Sequence, residues 1–203
     1  MQEKIITSGA DMRSSFKNRF SGKRLAFMAL FVALSYAISF LEIPTPILGV
    51  PFLKLDFGNV FIVLISFLLG PIEGLLVCLL KEGLRCFTSS TFCTGELANF
   101  IITSAFLLLP SIVYQYNRTI KTVLITLPCA CLIATGTALI ANWFIIFPAY
   151  AFVLSDFGLS IEQAFSLFWP GVLLFNLIKT ALISILTLLL YKRLSNFLKR
   201  IKI

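Results

Sequence analysis

Long apolar runs recur along the whole chain, separated by short polar stretches. Leu25–Leu41, Phe57–Leu69, Ile72–Phe87, Leu97–Tyr116, Val123–Tyr150 and Phe168–Leu190 are all mainly apolar, and a helix needs about 20 such residues to cross a bilayer. The pattern predicts six membrane-spanning helices. The second and third runs are short and meet at Gly70-Pro71, a pair that breaks one helix and opens the next, so a tight helical hairpin is expected there. The first run begins at Leu25 without a small-residue cleavage pattern after it, which reads as a retained span. The expectation is an all-α integral membrane protein: a basic segment 1–24, one membrane domain 25–194 and a basic tail 195–203.

Composition supports this class. Hydrophobic residues make up 59% of 203 positions and charged residues 13%, about half the usual charged share of roughly 25%. The net charge of +8 is unevenly placed. Lys4, Arg13, Lys17, Arg19, Lys23 and Arg24 precede the first span. Lys192, Arg193, Lys199, Arg200 and Lys202 follow the last, and Arg118 and Lys121 sit between the fourth and fifth. With six spans all of these lie on one side, and the positive-inside rule makes that side the cytoplasm. Both termini are therefore expected inside, next to anionic lipid heads. The same charges do not make a nucleic-acid site, because they are split between two ends and belong to no binding fold.

Several chemistries are missing. There is no histidine, so His-based metal ligation, catalytic triads and proton relays fall away. No G-x-x-x-x-G-K-[ST] stretch occurs, so the chain does not hydrolyse nucleotide through a P-loop. Cys86 and Cys93 flank "FTSSTF" and are close enough in sequence to pair, but the five cysteines show no metal spacing. No enzyme activity and no cofactor are expected. The chain also has no internal repeat, which counts against a secondary transporter built from inverted halves.

The informative residues are polar groups inside apolar runs. Lys179 stands near the middle of the last run, with Asn176 three residues before it on the same helical face. A charge at the centre of a span costs roughly 2.5–3.5 kcal/mol on insertion scales, so it normally faces the bundle or a cavity. Asn142, next to Trp143, lies in the fifth run; Glu96 and Asn99 open the fourth; Lys81, Glu82 and Arg85 close the third. In the six-span topology these groups converge on a pocket open to the outside. Together with Trp143 and Tyr150 they suit a flat, uncharged, hydrogen-bonding ring system. The bland reading is that Glu96 and the Lys81, Glu82, Arg85 group only bond helices together. For Lys179 it is a structural pairing with Glu82 or Glu96.

The stretches "FLKLDFGNV", "LLGPIEGLL", "GELANF", "NWFIIFPAY" and "FNLIK", in this order and spacing, resemble the riboflavin-specific S component of energy-coupling factor (ECF) transporters. The resemblance covers about Leu25 to Leu194. It implies a six-helix S-component fold in a bacterial cell membrane, multi-pass, that captures riboflavin at the outer face. It also implies partnership with an ECF module of one transmembrane scaffold protein and two ATP-binding subunits. By the same resemblance, Asn142, Asn176 and Lys179 would bond the polar edge of the isoalloxazine ring, and Glu96 and Asn99 would face the ribityl side. The loop Glu42–Leu53, with Pro44, Pro46, Pro51 and Leu53, would form an outer gate. The segment "CFTSSTFCT" departs from the family pattern. Rival readings keep the fold but change the vitamin, to thiamine or folate, or invoke an unrelated membrane carrier.

A second surface is legible in the first run. Ala29, Ala33 and Ala37 recur every four residues, a small-xxx-small ridge that allows close approach of another helix. The family resemblance implies docking on the scaffold protein; packing against a neighbouring span of this chain is the alternative.

Overall fold

The computed structural model describes residues 21–45, 53–89, 93–149, 158 and 160–200, with side chains described as far as Tyr191. Six helices follow in order: α1 (Gly22–Ser39), α2 (Asn59–Leu68), α3 (Pro71–Cys86), α4 (Thr94–Tyr116), α5 (Ile120–Ala149) and α6 (Ile161–Arg200). One two-stranded ladder joins α1 to α2. Its strands β1 (Ile43–Pro44) and β2 (Lys54–Leu55) are antiparallel, with Ile43 opposite Leu55 and Pro44 opposite Lys54. The sequence pattern gave no warning of this ladder, because two-residue strands are too short to show alternation.

Side-chain contacts fix the helix directions. Arg24 at the start of α1 reaches the Leu69 carbonyl after α2 and Glu73 at the start of α3. Ser39 at the end of α1 meets Asp56 before α2, and Arg85 at the end of α3 donates to the Ser39 carbonyl at 3.0 Å. Thus α1 and α3 run one way and α2 runs the other. At the far end from the ladder, Tyr114 of α4 and Tyr191 of α6 share a hydrogen bond, and both rings pack on Phe67 of α2. The bundle has a ladder end and a tyrosine end.

Among the described residues, four helices are long and apolar enough to cross a membrane: α1, α4, α5 and α6 over Ile161–Tyr191. The expected second and third spans form shorter helices, of 10 and 16 residues. At about 1.5 Å per residue α2 rises roughly 15 Å, half of a hydrocarbon core. Its sequence is apolar on every side because it is enclosed: eight of its ten residues are buried. A helix apolar all round needs neighbours on all faces, and the length of an apolar run does not reveal whether lipid or protein supplies them.

The turn between α2 and α3 forms where Gly70-Pro71 predicted it. Gly70 has φ +131°, and a Cβ there would press on Glu73 and Gln115; glycine alone adopts that backbone without strain. Pro71 then occupies the first turn of α3, where its missing N–H goes unused. Gly74 of α3 lies directly against Ser66 of α2, so the two short helices pack at close range. On α1, Met28, Phe31, Val32, Ser35 and Ser39 face inward. Ala29, Ala33 and Ala37 are all exposed, so the alanine ridge is on the outer surface and does not pack inside the bundle.

The ladder is tied down by ions. Glu42 accepts from Lys54 Nζ at 2.6 Å and from Arg85 at 2.5 Å. Burial alone would raise the Glu42 pKa, but hydrogen bonds and charge from Lys54 and Arg85 outweigh it and hold the carboxyl below its ordinary value of 4.5. A lowered folded-state pKa stabilises the fold above the unfolded value, and that contribution is lost as pH falls through the folded value. Thermal melts of the full chain in detergent should show an acid-labile component below about pH 4.5. Glu42→Gln should remove that component and leave the melt at neutral pH lower than wild type; an unchanged acid profile in Glu42→Gln assigns the labile component to other carboxylates.

Candidate ligand-binding site

The ladder end encloses a cavity of about 250 Å³. No residue of α2 lines it; the walls come from the ends of α1, α3 and α4, the middle of α6, the last turns of α5 and the ladder. The short central helix explains the space. Asp56, just before the start of α2, and Lys54 of β2 line the cavity on that side.

The five polar residues picked from sequence come together here. Asn142, Asn176, Lys179, Glu96 and Asn99 all line the cavity. Asn142 opens a wide turn in α5, where the Phe147 N–H bonds to the Asn142 carbonyl five residues back; such π turns occur frequently at functional sites. Its Nδ2 donates to the Ala138 carbonyl at 2.8 Å. Asn176 does the same on α6, donating to Val172 at 2.8 Å. Because a backbone carbonyl only accepts, each amide must turn its nitrogen toward its own helix. Asn176 Oδ1 is buried and accepts no hydrogen bond among the described residues, so a cavity-lining residue keeps an acceptor to spare.

Lys179 Nζ donates to Asn99 Oδ1 at 2.6 Å and stands 5.9 Å from the Phe175 ring centroid. Neither Glu82 nor Glu96 is its hydrogen-bond partner, so the direct carboxylate pairing weighed from sequence gives way to an amide contact. Glu96 instead accepts from Ser89 Oγ at 2.7 Å. Leu53, Phe40, Ile102, Ile146 and Phe175 supply apolar lining. Thr88 and Ser89, from the stretch that departs from the family pattern, also line the cavity, as does Gly95 just after it.

Other expectations fall elsewhere. Trp143 does not line the cavity; its ring packs edge-on against Phe165 at 4.7 Å. Pro44 lies in β1 beside the cavity mouth, while Pro46, Pro51 and Tyr150 lie outside the described residues. Cys86 and Cys93 are free thiols, with Cys93 Sγ 3.7 Å from the Cys86 carbonyl.

Two residues that sequence reasoning passed over anchor the site. Asp56 and Asn59 are both buried and join Lys81 and Glu82 beneath the cavity. Lys81 Nζ bonds Asp56, Glu82 at 2.6 Å and Asn59 at 3.3 Å. Asn59 Nδ2 donates to Asn99 Oδ1 at 2.9 Å, and Asn99 Nδ2 donates to Glu82. The available signal was the spacing of Asp56 and Asn59, three apart at the head of an apolar run.

The family model for "ECF transporter, substrate-specific component" matches residues 23–191. The chain is 34% identical over 186 residues to "Riboflavin transporter RibU" of Staphylococcus aureus, covering 91% of this chain and 96% of that protein. It is 25% identical over 182 residues to "Riboflavin transporter FmnP" of Bacillus subtilis, covering 88% and 95%. Among solved structures it matches one described as "Structure and mechanism of the S component of a bacterial ECF transporter", with TM-score 0.73, 33% identity and coverage of 87% and 98%. A match along nearly the whole chain, in sequence and in fold, places this protein in the family of substrate-specific components of ECF transporters.

Proposed function

We propose that this protein is the riboflavin-binding subunit of an ECF-type vitamin transporter in the bacterial cell membrane. The observation that carries the reading is the meeting of Asn142, Asn176, Lys179, Glu96 and Asn99 around one cavity, in a chain whose relatives are named riboflavin transporters. The isoalloxazine ring of riboflavin has an imide edge: one N–H between two carbonyls. Asn176 Oδ1, buried without a partner among the described residues, suits that N–H. An unsatisfied buried acceptor costs about 1–3 kcal/mol, so the ligand relieves a standing cost. Lys179 donates to a ring carbonyl and Asn142 takes the neighbouring edge, while Glu96 and Asn99 face the hydroxylated chain. Phe40, Leu53, Ile146 and Phe175 cover the ring.

In this reading the protein crosses the membrane six times, with α2 and α3 as the short pair, and both termini are cytoplasmic. The ladder end is then the outer end and the cavity opens outward. In the same reading the Glu42–Leu53 segment is the outer gate to the cavity of about 250 Å³. Delivery inward requires the ECF module: a transmembrane scaffold protein and two ATP-binding subunits. The exposed Ala29, Ala33, Ala37 ridge is the docking face for the scaffold, since small residues let helix backbones approach closely in lipid.

The purified full chain should bind riboflavin in detergent without nucleotide, and ATP should neither bind nor be hydrolysed. Calorimetry and the absorption spectrum of whatever co-purifies check this; a colourless chain that gives no heat with riboflavin removes the assignment, and heat with thiamine or folate replaces it.

Lys179→Met keeps the apolar stem and removes the donor. A hydrogen bond from a charged group contributes about 1.5–3 kcal/mol, so riboflavin affinity should fall by about one to two decades. Unchanged affinity together with a lower melting temperature would give Lys179 a purely structural role.

Ala33→Leu should leave riboflavin affinity within about twofold of wild type and weaken co-purification with the scaffold protein. Leucine adds bulk on the exposed ridge, and helices in lipid gain little hydrophobic energy to offset a clash. If the complex forms normally, the partner docks on another face.

A further inference from the structure

We infer that Asp56, Lys81 and Glu82 are positioning residues for the ligand-binding ammonium: a buried, charge-balanced relay that acts on Lys179 through Asn99. The inference rests on the riboflavin-binding reading above only for its affinity readout.

The geometry is a connected chain across four helices. Lys179 of α6 donates to Asn99 Oδ1 of α4 at 2.6 Å. Asn99 is held on its other side, its Nδ2 donating to Glu82 of α3. Glu82 accepts from Lys81 at 2.6 Å, and Lys81 bonds Asp56. Asp56 is itself fixed: Gly58 N–H donates to it at 2.7 Å and Ser39 Oγ of α1 lies 2.9 Å away. Asn59 of α2 closes a side loop, donating to Asn99 Oδ1 at 2.9 Å and to Thr103 at 3.1 Å.

Two features make this more than helix bonding. First, the four charges balance. In formal charge Lys81 and Lys179 supply two cationic groups and Asp56 and Glu82 two acidic ones, and all four are buried, with Lys81 fully so. Removing one partner of a buried pair leaves a charge uncompensated, so the cost of Lys179 inside the bundle depends on carboxylates it does not touch. Second, Asn99 has one oxygen and gives it to both Lys179 and Asn59. Its nitrogen can only face an acceptor; Glu82 is the near one, with Asn59 Oδ1 farther off at 3.4 Å. With Glu82 ionised, the Asn99 amide has one allowed orientation, and Lys179 has one defined resting place at the cavity edge.

A ligand carbonyl that takes the Lys179 proton donor replaces the Asn99 contact. The ammonium is already oriented by Asn99 when the ligand arrives, so little ordering cost remains. Glu82→Gln is nearly isosteric and keeps an acceptor for Asn99, but the amide can flip and the charge balance is lost.

The test uses the full chain in detergent and two readouts. Riboflavin affinity is measured for wild type, Glu82→Gln, Lys179→Met and the double variant. Glu82→Gln should weaken binding about tenfold in the wild-type background and less than about twofold with Lys179→Met, because coupled residues are non-additive. Equal losses in both backgrounds, or no loss in the single variant, overturn the relay. The second readout needs no ligand. With 15N-lysine labelling, the Lys179 Nζ signal, assigned by its disappearance in Lys179→Met, should be sharp and exchange-protected in wild type and broaden or shift in Glu82→Gln. An unchanged signal also overturns the relay. Absence of riboflavin binding by wild type, with the Nζ signal still responding to Glu82→Gln, sinks the vitamin assignment and leaves the relay standing. If Glu82→Gln does not fold, Asp56→Asn is carried through the same cycle with the same criteria.

Discussion

Charge inside hydrocarbon is the constraint from which the rest of this structure follows. Lys81 and Lys179 sit where a lone ammonium would be expelled, and the bundle retains them by bringing Asp56, Glu82, Asn59 and Asn99 within hydrogen-bonding distance. Each of these comes from a different point along the chain, so satisfying two ammonium groups fixes the mutual placement of α2, α3, α4 and α6 and, through Ser39, of α1. Apolar packing cannot supply such precision in lipid, where the surroundings are as greasy as the side chains. Directional polar contacts specify which helix meets which, and they have to be complete to be tolerable.

The cavity is a consequence of unequal helix lengths around that network. α2 stops after 10 residues, enclosed on all sides, and the ladder lies over its start. Its neighbours rise past it and leave a space lined by charged groups, amides and apolar side chains together. The cavity therefore needs no separate architecture. It is the gap left when a short helix is used at the centre of a bundle, lined by the groups that already hold the bundle together.

How much of this was legible follows from what each signal reports. Asn142, Asn176 and Lys179 stood out because a polar residue in an apolar run is costly, and all three line the cavity. Glu96 and Asn99 were equally visible, at the head of a run. The same logic missed Asp56 and Asn59, because at the edge of a short run polar residues look like ordinary flanking sequence. Trp143 was misplaced for a related reason: proximity to Asn142 in sequence says nothing about which way the π turn directs the ring. The helical hairpin at Gly70-Pro71 was readable from backbone chemistry alone, whereas the length of α2 was not. An apolar run records that water is absent, and lipid and protein are absent-water environments alike.

α1 shows how one helix serves both requirements. Its inner face ends in Ser35 and Ser39, which reach Gly58 and Asp56 at 2.7 Å and 2.9 Å and so bind it to the polar floor of the cavity. Its outer face offers three alanines that are exposed among the described residues. Gly58 permits the contact, because a side chain there would collide with the Ser35 carbonyl and the Ser39 hydroxyl. The helix most open to an outside partner is thus the one tied by hydroxyls to the charges that hold Lys179. Ser35 and Ser39 make the inner contact of α1, and small residues on both faces of one helix are what a tight inner contact and a tight outer contact each demand.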